Sequence, residues 1–332
     1  MIGTGAISRV HARAYRNIGY ELKVCTDTNE AAGRRFAEEN GAVFAATFEE
    51  VCTHPDVDYV DVCTFPDFRL QAVEACARAG KHVQVQKPMA TTLETARRMI
   101  ETARRGGILL GVVSQHRFDE ASLFVAKAIA GGRLGKLLQL DGYTKWYRPP
   151  EYYARPVKGS WKSEGGGALI NQAIHQVDLL RWLGGPVKQL FAVWQLGAVH
   201  KIESEDVVNA VVEYAGGATG VIQAATAFEP GYPERLEIHG SRGTAIITGD
   251  KLTAWDVKDD AGEPAPVAKQ AASAASDPMA ISLEPFERQF LDFGEAIRSA
   301  RQPRVGGEQG YQALEVVDAI YRSCRSGRKV IL

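Results

Sequence analysis

Gly3-Thr4-Gly5-Ala6-Ile7-Ser8 opens directly into Arg9-Val10-His11-Ala12-Arg13-Ala14-Tyr15, and Leu22-Lys23-Val24-Cys25-Thr26 then runs up to Asp27. A glycine-rich turn feeding a helical repeat, followed by a short apolar strand, is the start of a βαβ unit. In such a unit the first glycine allows a tight turn and the second lets a diphosphate approach the backbone. The helix N-terminus adds unpaired N–H groups and a positive dipole end. Gly3, Gly5, Ala6 and Ile7 are therefore candidate dinucleotide contacts. Asp27 lies 24 positions beyond Gly3, where an acidic side chain hydrogen-bonds a ribose diol. A carboxylate there repels a 2′-phosphate, so NAD is preferred; Thr28 and Asn29 soften the preference and leave NADP open. The third glycine position holds Ser8, and only Met1-Ile2 precede Gly3. The fold needs a strand at that place, usually of about five residues. Either the true start lies upstream or the central strand is truncated.

Outward from this stretch, strand-like runs recur at Tyr59–Thr64, His82–Gln86 and Ile108–Val113, with helical patterns at 29–39, 67–79 and 91–105. That alternation predicts an α/β Rossmann domain, a parallel doubly wound sheet, over residues 1–118. Thr64 and Pro66, following a strand end, are expected to approach the nicotinamide ribose. From Lys136 the pattern changes to strands separated by turns: Leu138–Tyr143, Val187–Trp194, Asp206–Tyr214, Gly220–Ala227, Leu236–Gly240, Ala245–Thr248 and Leu252–Val257. This predicts an α+β domain over 119–332, with a large, mostly antiparallel open sheet and helices on one face. Two helices close the chain, Glu284–Arg298 and Gly310–Cys324, and Val330-Ile331-Leu332 is expected to return as an edge strand. Residues 258–277, with Pro264, Pro266 and the run Ala271–Ser276, are expected to form a long irregular loop.

Composition narrows the function. The chain has 332 residues, 24% of them charged, and a formal net charge of −1. No global field attracts nucleic acid or an anionic membrane. Five scattered cysteines, never spaced C-x-x-C, argue against a disulfide framework or a metal site and for a reducing compartment. No apolar run is long enough to span a bilayer. A cytoplasmic protein is expected.

Two segments carry groups suited to proton transfer. Lys87 ends the run Gln84-Val85-Gln86 and is followed by Pro88, which places an ammonium at the carboxyl edge of the sheet, where ligands bind. On an apolar helix over 168–183, Asn171, His175, Asp178 and Trp182 are spaced to share one face. Asp178 either orients the His175 imidazole or anchors the helix. The connector Lys145-Trp146-Tyr147-Arg148-Pro149-Pro150-Glu151-Tyr152-Tyr153, then Lys158-Gly159-Ser160-Trp161, sets aromatic rings beside polar donors. That combination suits the apolar faces and hydroxyl edges of a sugar or cyclitol ring. Arg148, Tyr153, Lys158 and Trp161 are the substrate-side candidates, with His116 at a strand end beside them.

From Ala79-Gly80-Lys81-His82-Val83 to Gln86-Lys87-Pro88 the chain resembles the glucose-fructose oxidoreductase/inositol dehydrogenase/rhizopine catabolism (Gfo/Idh/MocA) family. The likeness continues through Gln115-His116-Arg117-Phe118, Gly165-Gly166-Gly167, Gly240-Ser241-Arg242-Gly243 and the tail Ala313–Tyr321. It implies an NAD(P)-dependent oxidoreductase that oxidises a ring secondary hydroxyl of a sugar, glycoside or cyclitol to a ketone. It assigns Lys87 to polarise the oxygen, His175 to act as acid and base, and Asn171 to hold the substrate. It also implies a homodimer or homotetramer formed through the C-terminal sheet. Two positions depart from the family pattern: Gln86 replaces its usual glutamate, and Asn171 its common aspartate. Gln86 is then a candidate cofactor contact, and its neutrality removes one influence favouring the Lys87 ammonium. Two other readings stay open: a redox-neutral glycoside-processing enzyme with tightly held NAD, and a non-catalytic dinucleotide sensor.

Overall fold

The computed structural model describes residues 1–155, 157–268 and 282–332. The expected loop run Ala271–Ser276 lies outside these. The chain divides into two units, Met1–Gln115 with Ser282–Tyr311, and His116–Ile281 with Gln312–Leu332.

In the first unit, β1 (Val24–Cys25) pairs in parallel with β2 (Val43–Phe44), while β3 (Tyr59–Val62), β4 (His82–Val85) and β5 (Leu110–Val112) form a second parallel set. The missing central strand is supplied by two residues. Ile2 bridges Thr26 on one side and Val62 on the other. Its N–H donates to Asp61 O at 2.8 Å, its carbonyl accepts from Cys63 N at 2.8 Å, and Thr26 N donates to Met1 O at 3.1 Å. Met1 and Ile2 are buried, and the Met1 ammonium donates to Val24 O at 2.7 Å. Burial lowers the pKa of that amine, with Asp61 working in the opposite direction. The strand order β2-β1-Ile2-β3-β4-β5 is that of a complete dinucleotide-binding sheet.

The sequence boundary near 118 falls close to the break at Gln115, but the C-terminal part does not form one continuous second domain: Ser282–Tyr311 belongs to the first unit. The cause is aromatic burial. The helix Glu284–Arg298 inserts Phe286, Phe290 and Phe293 into the first unit, where Phe290 stacks on Tyr15 at 4.4 Å and Phe293 meets Tyr59 edge-on at 5.1 Å. Burying three phenylalanines contributes roughly 5–9 kcal/mol of transfer free energy.

The second unit is built on an eight-stranded sheet of β6 (Leu137–Lys145), β7 (Val187–Leu196), β8 (Glu205–Tyr214), β9 (Thr219–Ala225), β10 (Arg235–Gly240), β11 (Gly243–Thr248), β12 (Lys251–Val257) and β13 (Val330–Ile331). Its order is β12-β11-β10-β6-β9-β8-β7-β13. Only β6 and β9 pair in parallel, and the expected edge strand is β13 on β7. Helix Ile174–Gly184 covers one face, and Gly142 is what admits it: a Cβ there would meet Leu180 Cδ1 at 2.7 Å. The opposite face exposes Phe191, Val193 and Val211 by 45%, 53% and 60%. No helix among the described residues is long and apolar enough to cross a membrane.

Candidate active site

In the first unit, the loop before helix Ala6–Asn17 is shaped by Gly3 at φ +88°, where a Cβ would lie 3.2 Å from the Cys63 carbonyl carbon and the Thr64 nitrogen. L side chains rarely adopt that φ, so both conformation and space demand glycine. Gly5 is exposed, nothing lies within 4 Å of a Cβ built on it, and no side chain caps the helix N-terminus there. Exposed Ala6 and half-buried Ile7 begin the helix. Ser8, at the third glycine position, donates to Gly3 O at 2.7 Å and ties the loop down. This is an open anion cradle.

Asp27 follows β1 and the Thr26 bridge, beside the same loop. Its Oδ2 accepts from the Thr4 N–H at 2.7 Å and the Thr4 hydroxyl at 2.9 Å, and Oδ1 from the Asn29 N–H at 2.8 Å. A carboxylate has about four acceptor sites, so capacity remains for a ribose hydroxyl, and the half-buried side chain is reachable. The residues fit a dinucleotide: Gly3, Gly5, Ala6 and Ile7 would hold its phosphates and Asp27 its ribose diol.

Half-buried Thr64 and buried Pro66 follow β3, and Lys87 follows β4 with its side chain half-buried. One residue unmarked by any motif holds these ends. Arg69 is buried, donates to the carbonyls of Thr64, Gln86 and Pro88, and has its pKa pushed down by burial to about 9. Gln86 lies inside the unit. Its Oε1 accepts from the Lys87 N–H at 2.7 Å, and its Nε2 stands 3.0 Å from His11 Nε2.

In the second unit, the helix bearing Asn171 and His175 starts with a π-turn over Leu169–Ala173 before becoming α-helical at Ile174–Gly184. The wider turn changes the phase on which the one-face expectation rested. Asn171, Gln172 and His175 are half-buried, but Asp178 is buried. Asp178 accepts from Arg117 Nε at 2.8 Å and Nη2 at 2.6 Å, and the same guanidinium lies 5.4 Å from the Trp182 ring centre. This pair gives Asp178 a helix-anchoring contact.

The structure brings His116 to His175. Their rings meet edge-on with centroids 4.9 Å apart. Asp119 Oδ2 lies 2.7 Å from His116 Nδ1 and, against burial, raises the His116 pKa. Asn171 Nδ2 donates to Gly166 O at 3.1 Å. Gln172, which no sequence pattern singled out, donates to the Tyr152 hydroxyl at 2.9 Å and accepts from Arg148 at 3.3 Å.

The four connector candidates separate by environment. Arg148 is buried, with its guanidinium 4.7 Å from the Trp146 ring centre, so it positions Gln172 from beneath. The Tyr153 hydroxyl donates to Thr226 Oγ1 at 2.8 Å, and its ring packs on His200. Lys158 is paired with buried Glu164 and lies 4.9 Å from the Tyr152 ring centre. Trp161 packs against Trp194, Tyr321 and Arg325 and donates to Glu203 O. That is a structural surrounding, unlike the substrate contact expected of it.

Glu205, the first residue of β8, is fully buried beneath the helix that carries Asn171 and His175. Its carboxylate accepts from the Gly167 and Leu169 N–H groups at 2.9 Å each and from the Tyr321 hydroxyl at 2.9 Å. Burial raises its pKa to about 7 against the pull of these donors.

A parallel sheet of dinucleotide-binding strand order with an open glycine-shaped loop, on a chain that also carries an imidazole pair, has the features of an NAD-binding oxidoreductase. Residues 1–114 match the oxidoreductase family, NAD-binding Rossmann fold, and residues 123–246 match the GFO/IDH/MocA C-terminal domain. A 1,5-anhydro-D-fructose reductase from Ensifer adhaerens is 30% identical over 99% of this chain and 96% of its own. A myo-inositol 2-dehydrogenase from Thermotoga maritima is 29% identical over 100% and 97%. The WlbA dehydrogenase from Bordetella pertussis, crystallised with NADH and UDP-GlcNAcA, superposes with a TM-score of 0.89 at 31% identity, covering 100% of this chain and 96% of that one. The chain belongs to the Gfo/Idh/MocA family and is an NAD-dependent dehydrogenase.

Proposed function

We propose that the protein oxidises a ring secondary hydroxyl of a sugar, glycoside or cyclitol to a ketone, reversibly and with NAD. The observation that carries the proposal is the His175–His116 pair beside Asn171 and Gln172, two half-buried amides suited to ring hydroxyls. The relatives named for anhydrofructose and inositol support the substrate class. When bound, NAD supplies the hydride acceptor. Lys87 polarises the substrate oxygen, and its ammonium stabilises developing alkoxide charge. His175 accepts the hydroxyl proton and returns it in the reverse direction. Asn171 and Gln172 orient the ring. Asp119 fixes the His116 imidazole, which in turn limits the rotation of His175. We also assign the exposed Phe191, Val193 and Val211 face to a homo-oligomer contact, since soluble monomers seldom leave a contiguous apolar patch bare. Val211→Lys should lower the mass measured by sedimentation, and an unchanged mass would remove that assignment.

The deciding experiment follows NADH absorbance with NAD against a panel of sugars, glycosides, inositols and sugar acids. Turnover with one of them is expected, and His175→Asn should lower it by about 10²–10⁴-fold while NAD still binds. Lys87→Met should do likewise for turnover. NAD binding without turnover would favour the sensor, and NAD surviving purification would favour the redox-neutral enzyme.

A further inference from the structure

Gln86 can be oriented in only one way. The Lys87 N–H, 2.7 Å from Oε1, is a donor with no lone pair, so the amide oxygen must face it. Flipping the amide would set an NH2 group against an N–H. The other end of the amide, Nε2, therefore points a hydrogen at His11 Nε2, 3.0 Å away. That imidazole nitrogen has to accept. The remaining ring proton sits on Nδ1 and is donated to Asp61 Oδ2 at 2.7 Å, the same oxygen that accepts from the Tyr15 hydroxyl at 2.8 Å.

We infer that Gln86 locks His11 in the neutral, Nδ1-protonated form and thereby holds the charge behind the strand end that carries Lys87 at one negative, acting as a positioning residue for Lys87. The inference rests on the reading of Lys87 as the group that polarises the substrate oxygen. His11, Asp61 and Gln86 are all buried, so no solvent provides an alternative partner. Phe286 and Phe290 close the remaining sides of the ring at 5.3 and 5.0 Å. The titratable groups around it are Asp61, Cys63 with Sγ 3.4 Å from Nδ1, Tyr15, and, beyond Asp61, the Met1 amine and Arg69.

Burial opposes a charge on His11; a rise of its pKa to about 10 needs Cys63 as a thiolate beside Asp61, and burial raises that thiol's own pKa, so below pH 9 Asp61 alone pulls against burial. That pull meets a geometric obstacle: a proton on Nε2 would face the amide hydrogens with no acceptor. A buried donor left so costs about 1–3 kcal/mol, more when charged. A glutamate at position 86 removes the obstacle, since both of its oxygens accept, one from the Lys87 N–H and the other from His11 Nε2–H. His11 would then become an imidazolium between two carboxylates. The local sum stays at one negative charge in both arrangements: Asp61 alone with Gln86 and neutral His11, or Asp61 and the introduced carboxylate against cationic His11. With His11 neutral, Gln86 leaves the net charge near Lys87 the same as a glutamate paired with an imidazolium would, where the amide taken alone would have removed a negative charge.

The test uses long-range ¹H–¹⁵N spectra of histidine-labelled protein, with the His11 signal assigned from His11→Asn. The wild type should show an unprotonated Nε2 from pH 6 to 9, and Gln86→Glu should show both nitrogens protonated over that range. A doubly protonated His11 in the wild type, or an unchanged tautomer in Gln86→Glu, overturns the inference. The wild-type spectrum decides even if the variant does not fold. The pH profile of hydride transfer supplies a reading that a purely structural role would not move. Its ionisation should shift upward from Gln86→Glu to the double variant Gln86→Glu with His11→Asn, because the second carboxylate is then uncompensated. Coincident profiles for the two would refute the charge balance. Failure of the Lys87 assignment looks different: Lys87→Met would keep its turnover while the His11 spectra came out as expected.

Discussion

Replacing Glu205 by glutamine isolates one buried carboxylate and fixes both the sign and the size of its effect. The side chain is wholly buried, its ordinary pKa is 4.5, and in the folded protein it rises to about 7. The native state therefore holds this proton more tightly than the unfolded chain. The stabilisation is fully present below the unfolded pKa and is lost as pH rises through the folded one. The span of about 2.5 units, at about 1.4 kcal/mol per unit, makes the loss about 3 kcal/mol between pH 4.5 and 7.5. Glutamine does not titrate, so Glu205→Gln should lack that slope. It turns an NH2 toward either the Gly167 or the Leu169 N–H and loses an acceptor, so it should be the less stable protein at pH 5 by about 1–3 kcal/mol. By pH 8 that deficit should have moved by about 3 kcal/mol in the variant's favour. Urea unfolding midpoints of both proteins at pH 5 and 8 measure the double difference, which is independent of the constant cost of the substitution. Parallel pH dependences would mean that the three donors hold Glu205 ionised throughout, and the reasoning would fail. Amide exchange at Gly167 and Leu169 gives a local reading, since both N–H groups should exchange faster in Glu205→Ala.

Three further outcomes follow from the cofactor side. Gly3→Ala forces a φ of +88° on an L residue and brings a Cβ to 3.2 Å from backbone. NAD affinity measured by fluorescence titration should drop at least about tenfold, with about 1–3 kcal/mol of stability lost. Asp27→Ser removes the diol acceptor and the charge that repels a 2′-phosphate, so the ratio of NAD to NADP affinity should fall by about tenfold or more. An unchanged ratio would detach Asp27 from the ribose. Arg69→Met leaves the carbonyls of Thr64, Gln86 and Pro88 without their donor, and should lower the thermal midpoint through a loss of about 2–5 kcal/mol. NAD binding should weaken with it.

The chain's own order makes the dinucleotide half legible. The turn at Gly3, the helix after it and the strand ending at Asp27 depend on neighbours a few residues apart, and period-2 alternation likewise marks the strands of the large sheet. Even the two-residue central strand was visible as an anomaly, though not the fact that Ile2 bridges Thr26 and Val62. The site was half legible. Lys87, His175 and His116 were picked out by motif and position, and the 4.9 Å contact between the two imidazoles was not. Gln172 had no signal, because one glutamine on an amphipathic helix looks like any solvated polar residue. The π-turn at Leu169–Ala173 had none either, since its apolar pattern is the same as that of an α-helix.

What the sequence by itself determined is the class of each element and the dinucleotide loop, because backbone sterics and side-chain periodicity act over one or two turns. Tertiary structure alone decided which polar groups are partners. Gln86 meets His11 across 75 positions of chain, and Arg117 meets Asp178 across 61. The return of Ser282–Tyr311 to the first unit was decided in the same way. A buried donor or acceptor away from water must find a complement or lose the cost of its desolvation. Which complement it finds depends on what packing places within about 3 Å, hydrogen-bond reach, and that distance is not encoded in any local pattern.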